Sequence, residues 1–94
     1  MKIPKKLNIL GHTYTIEFRN REKDDTVFQT GACNLHYNKI VIDKHQCQQS
    51  KESTLIHEII EAINYHQQLD LEHNKICLLE TGIYQVLKDN NFLN

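Results

Sequence analysis

Apolar side chains recur at every second position early in the chain, at Leu7 and Ile9 and again at Tyr14, Ile16 and Phe18, with polar residues between them. A period of two marks strands with one face buried, and Gly11-His12 between the runs supplies the turn of a β-hairpin. Residues 19 to 28 mix charges of both signs without either period and read as an exposed loop or a strand end. Thr30 to Tyr37 and Lys39 to Asp43 predict a second hairpin turning at Asn38, with the β-branched run Ile40-Val41-Ile42 packed within a sheet. Three or four short strands follow.

From Ser50 onward the period lengthens. Ser50 is a good N-cap with Glu52 in the first turn, and Leu55, Ile56, Ile59, Ile60, Ala62 and Ile63 fall on one arc of a helix reaching about Gln67. Gln68-Leu69-Asp70-Leu71 interrupts the pattern. A second helix is predicted from about Glu72 to Lys88, with Ile76, Leu79, Ile83, Val86 and Leu87 on its stripe. The chain therefore reads as one α+β domain over residues 1–94: a small antiparallel β-sheet in the region 1–45, then a two-helix hairpin over 50–90 packed on it.

Ninety-four residues allow one small core, so stability should be modest and a bound metal or partner should matter to it. Eleven Lys and Arg against twelve Asp and Glu leave a net charge of -1, which argues against a nucleic-acid or anionic-lipid partner. No apolar run approaches a membrane span, and the charged start Met1-Lys-Ile-Pro-Lys-Lys has no apolar stretch behind it, so a cytoplasmic protein is expected. Three scattered cysteines fit reduced thiols. Six histidines are many for a domain of this size, and each raises the question of a metal.

The sharpest local feature is His57-Glu58-Ile59-Ile60-Glu61 inside the first helix. Residues four apart lie one turn apart on the same face, so the His57 imidazole and the Glu61 carboxylate can converge on one cation. The spacing matches the zinc-helix pattern HExxH with Glu at the last position, and in that pattern the Glu after the first His, here Glu58, is the general base toward water on the metal. For a third ligand the second helix offers His73, Cys77 and Glu80, all at the edge of its apolar stripe. In a strictly antiparallel hairpin Cys77 would lie level with Glu61 and Glu80 with His57. His73 would reach Glu61 only if it starts its helix and the connection loops back. Ligand charge favours His73, because Glu80 or a Cys77 thiolate would add a second negative charge. Tyr84, on the same helix edge, is a candidate hydrogen-bond donor to a developing oxyanion.

The run Thr54-Leu-Ile-His-Glu-Ile-Ile-Glu-Ala-Ile-Asn-Tyr65 resembles the zinc helix of small phage-encoded zincin-like metallopeptidases. The opening Met1-Lys-Ile-Pro-Lys-Lys, the segment Gly11-His12-Thr13-Tyr14 and the ending Tyr84-Gln-Val-Leu-Lys-Asp-Asn90 look like the same group, so the resemblance covers nearly the whole chain. The spacing from Glu61 to His73, with Tyr65 between, is similar to the SprT-like arrangement of a third His after the zinc helix. The resemblance implies a Zn2+ cofactor held by His57, Glu61 and His73, Glu58 as base, and a minimal zinc-dependent hydrolase acting on a peptide or protein in a host cytoplasm. Glu61 stands where the usual zincin has His. That departure motivates a second expectation, an inactive zincin-like scaffold that binds a host or phage protein.

Other readings compete at each position. On the helical wheel His57, Glu61 and Asn64 lie almost opposite the apolar arc and could form a plain solvated face. Glu58 could be a surface carboxylate paired with a lysine. Cys33, His36, His45 and Cys47 form a rival set of zinc-type ligands across the second hairpin, although His-x-Cys is a poor knuckle spacing. His12 reads as a turn residue and His66 as a packed imidazole on the buried side of its helix.

Overall fold

The computed structural model describes residues 1–20 and 31–93. Four strands, β1 (Lys6–Ile9), β2 (His12–Arg19), β3 (Gly31–Asn34) and β4 (Lys39–Asp43), precede two helices, α1 (Gln48–Gln67) and α2 (His73–Asp89). The α+β class and the sheet-then-helices order are those expected. Thr30 and most of the charged run 19 to 28 lie outside the described residues.

Both predicted hairpins form, with small shifts. The first turns through Leu10 and Gly11, both at positive φ (50° and 82°), so His12 is the first residue of β2 and pairs with Ile9. A two-residue loop with φ positive at both positions twists as the strands do, which explains the glycine there. Asn38, at φ 52°, leads into β4.

The sheet itself differs from expectation. Its order is β1-β2-β4-β3, and the two antiparallel hairpins join through a parallel β2–β4 pair that sets Ile16 beside Ile40 and Phe18 beside Ile42. The sheet is therefore mixed, because the hairpins meet through their second strands, both running the same way. Ile40 and Ile42 are fully buried, and with Ile9, Tyr14 and Ile16 they form the core under Leu55 and Ala62 of α1.

Helix α1 begins two residues earlier than Ser50. Cys47 is the cap residue, its carbonyl accepting from the Lys51 N–H at 3.0 Å, and its thiol rests on the Ser50 hydroxyl at 3.3 Å. At the other end Gln68 takes the left-handed conformation, and the amides of Gln68 and Leu69 bond back to the carbonyls of Tyr65 and Asn64. This is a Schellman-type stop with Gln where Gly is usual. The Asn64 side chain then accepts the Leu71 N–H at 2.9 Å, drawing the connection back along α1.

α1 packs on β1, β3 and β4, whereas among the described elements α2 packs on α1 alone. Ile76 is the buried residue of α2; of the rest of its predicted stripe Leu87 is half-buried and Leu79, Ile83 and Val86 are exposed. Within the stripe Leu79 and Val86 lie furthest round the helix from Ile76. The residues that meet α1 are Ile76 and the polar edge bearing Glu80 and Tyr84.

Candidate metal centre

His57, Glu61 and His73 come together where α1, the start of α2 and the start of β3 meet, each offering a ligand atom within 4.8 Å of the others. Two features of the backbone cause this. The four-residue spacing puts His57 and Glu61 on one face of α1, and the connection 68–72, tied down at Asn64, returns α2 far enough for its first residue to reach them. The His57 and His73 rings lie 5.2 Å apart, centroid to centroid, at 61°. The register is offset from the strict antiparallel one: His57 touches both His73 and Glu80, so it lies between them along α2.

His57 is not on a solvated face. It is 9% exposed, and its Nδ1 lies 2.8 Å from Glu80 Oε1. A carboxylate only accepts, so Nδ1 carries the proton and the Nε2 lone pair is left to ligate. The other Glu80 oxygen accepts from the Ser53 hydroxyl, fixing the carboxylate from α1 as well. A histidine oriented by a carboxylate on its far nitrogen is the usual support of a metal ligand. Glu80, weighed from the sequence as a ligand, thus has its oxygens committed to positioning His57. Cys77 Sγ lies 3.4 Å from His73 Nε2, at the edge of the cluster.

Glu58 is 5% exposed, and among the described residues it forms no ion pair with a lysine. Among the described residues no side chain hydrogen-bonds it, and its carboxyl abuts β3, where a Cβ at Gly31 would sit 3.3 Å from Oε2 and collide with Thr54. Gly31 makes room chiefly for Thr54 and leaves Glu58 uncrowded. Burial pushes the Glu58 carboxyl up to about 7; His57 opposes that rise, while Glu61 and Glu80 add to it. Gly31, Thr54, His57, Glu58, His73, Cys77 and Glu80 line a cleft of about 150 Å³.

Tyr84 stands elsewhere. It lies three turns beyond His73, about 16 Å along the helix axis, and its hydroxyl donates to Glu52 Oε1 at 2.7 Å. Glu52 also accepts from the Met1 amine and from Gln48, each at 3.1 Å. Burial and Glu52 push the Tyr84 hydroxyl up to about 12. Sharing a helix edge with His73 does not place Tyr84 at the cleft, because the edge extends along the whole helix.

The hairpin thiols and imidazoles do not assemble. His45 bonds Asn20, His36 packs edge-on against Tyr37, and Cys33 turns toward the core, where burial, with Glu58 and Glu61, drives its thiol up to about 12. Among the described residues His57, Glu61 and His73 form the one group of three or more such ligands. His66 is packed as expected, its Nε2 2.7 Å from the Tyr14 hydroxyl, and it stacks on His12. Sequence reasoning missed the positioning role of Glu80. The signal for it was there, in a carboxylate level with His57 on the facing helix.

No family profile, curated protein or solved structure matches this chain. The structure thus shows an α+β fold carrying a His/Glu/His cluster able to meet one cation. No helix among the described residues is long and apolar enough to cross a membrane.

Proposed function

We propose that this chain is a minimal zincin-like zinc hydrolase, with His57, Glu61 and His73 as ligands and Glu58 as the proton acceptor. The observation that carries the reading is the convergence of those three side chains beside the buried carboxylate of Glu58. The donor set fits the ion. Two imidazoles and a carboxylate are an accepted catalytic zinc set, and ligand atoms around a tetrahedral zinc stand about 3.3 Å apart, so a group within 4.8 Å needs only small side-chain adjustments. Zinc, when bound, supplies Lewis acidity toward a carbonyl and toward water.

The chain's own residues do the rest. Glu80 and Ser53 hold the His57 ring in the ligating tautomer and orientation. Glu58, with its proton affinity brought near neutrality by burial, accepts a proton at a carboxylate oxygen and returns it to a leaving amine. The cleft is too small for a large side chain. A peptide would instead lie along β3, an edge strand of the sheet, as an added strand. The resemblance to phage-encoded zincins extends the proposal to work on a peptide or protein in a host cytoplasm.

The alternative is a metal-stabilised scaffold that binds a host or phage protein without catalysis, favoured by the carboxylate of Glu61 at the second ligand position. Metal analysis of the purified protein, followed by Glu58→Gln and Glu80→Gln, separates the two. Under the hydrolase reading wild type retains one zinc per chain and cleaves an unfolded protein substrate, Glu58→Gln keeps the metal but loses cleavage, and Glu80→Gln weakens zinc about 10- to 100-fold. Zinc binding with no cleavage selects the scaffold. Metal-free protein that added zinc does not stabilise removes both.

A further inference from the structure

We propose that the outer face of α2 is a homodimer interface, with two copies of this chain pairing α2 against α2, antiparallel, about a two-fold axis at Gly82. The proposal is independent of the metal, because His73 and Glu80 lie on the opposite side of this helix.

Three observations point to a second copy as the occupant. The first is the apolar surface itself. Leu78 is 70% exposed, Val86 50%, Leu79 43% and Ile83 40%, and they form a groove with Gly82 at its centre. An uncharged patch of this kind covers roughly 400 Å², the size of the largest patch a typical monomer carries, which is often functional. Two such patches with their polar rims bury on the order of 1,000 Å² in total, enough for a specific if modest interface.

The second observation is Gly82. Among the described residues nothing lies within 4 Å of where its Cβ would be, so their packing leaves the backbone bare on this face. A glycine in mid-helix is destabilising by roughly 0.5–1 kcal/mol relative to Ala, and close approach of another backbone is a use for it that the described residues do not make.

The third is charge. Lys75 and Asp89 are exposed and each lies seven residues from Gly82, one on either side. Seven residues are close to two turns, so both charges share the Gly82 face with Leu78 and Val86 between them. A two-fold axis at Gly82 sets Lys75 of one copy level with Asp89 of the other, twice, and Leu78 level with Val86, twice. In a parallel pair Lys75 would face Lys75 instead. The face is complementary to itself in the antiparallel sense, as an isologous contact requires.

Sedimentation velocity of the chain, from low micromolar to about 200 μM, reads the outcome directly. The expected result is a concentration-dependent dimer with Kd in the micromolar range, weakened at least tenfold by Leu78→Lys. Lys75→Asp and Asp89→Lys should each weaken it about three- to tenfold by setting like charges together, and the doubly reversed chain should return to within about twofold of wild type. That charge-reversal series lies on the exposed rim, so it decides the matter even if Leu78→Lys impairs folding. A wild-type chain that stays monomeric throughout overturns the pairing and leaves the face to a different partner. A dimer that ignores Leu78→Lys, or a double reversal no better than its singles, overturns it equally.

Discussion

Helix α1 takes part in two histidine pairs, and they are assembled differently. Midway along the helix His57 meets His73 at a steep angle, 61°, with Glu61, Glu80 and Glu58 around them. In its last turn His66 lies flat on His12, 4.0 Å away with the planes 5° apart, and its Nε2 is taken by Tyr14. Stacked rings send their in-plane lone pairs out parallel, so no point lies on the lone pairs of both. Angled rings with a carboxylate between them define such a point. The difference teaches that a metal-binding pair is recognised less by its imidazoles than by the carboxylates that accompany and orient them.

The largest effect that tests this comparison is metal-dependent stability. At about pH 7.5 zinc at 100 times Kd should stabilise the chain by about 2.7 kcal/mol, and His57→Ala or His73→Ala should abolish that gain while His12→Ala leaves it. Thermal melts with and without chelator measure it. The gain should fade toward about pH 5, where imidazoles protonate and leave the metal. Equal loss in the His12→Ala chain would erase the distinction between the pairs.

A smaller effect belongs to Glu58 in the metal-free protein. Its native carboxyl titrates near 7, against 4.5 for the ordinary group, so between those values the native state holds a proton that the unfolded chain has lost. Stability therefore falls as pH rises through that window. Glu58→Gln removes the cost of ionising a buried carboxyl, and should stabilise the apo chain at about pH 8 by roughly 1 to 3 kcal/mol while changing little near pH 4. Urea unfolding at the two pH values checks it. A destabilised variant at pH 8 would mean that the charged carboxylate is needed by the fold.

The smallest effect lies at the stacked pair. Burial and the neighbouring His12 lower the His66 pKa, so the ring stays neutral and Tyr14 donates its hydroxyl to Nε2. Because the folded state resists protonation, this contact stabilises above the ordinary histidine range and is lost as pH falls through the lowered value. Tyr14→Phe should lower Tm by a few degrees at pH 7.5 and by less near pH 5, with zinc stabilisation intact. A loss of zinc stabilisation in that variant would couple two regions the structure keeps apart.

A fourth measurement sharpens the role of Glu80 within the first region. Ser53→Ala frees one Glu80 oxygen and should weaken zinc by less than Glu80→Gln does, since the bond to His57 Nδ1 survives. Zinc titration against a competing chelator orders the two.

Much of this was legible in the residues. The period of two gave β1 and β2, the β-branched run gave β4, the period of 3.6 gave both helices to within two residues, and the four-residue spacing placed His57 and Glu61 on one face. Those are local facts, set by the backbone geometry of a strand or a helix, and they hold whatever the segment packs against. What faces each surface is a long-range fact. Only the tertiary structure decided that β2 and β4 run parallel, that the connection from Gln68 to Glu72 folds back along α1 to deliver His73, and that Glu80 turns to His57 while Tyr84 turns to Glu52. The same reason explains the two misread faces. Periodicity made His57 look solvated and the α2 stripe look buried, and charge alone made Glu58 read as a surface carboxylate, because both rank side chains by polarity. Burial is conferred by whichever neighbour arrives: α2 and β3 cover His57 and Glu58, while among the described elements none packs on Leu79, Ile83 and Val86.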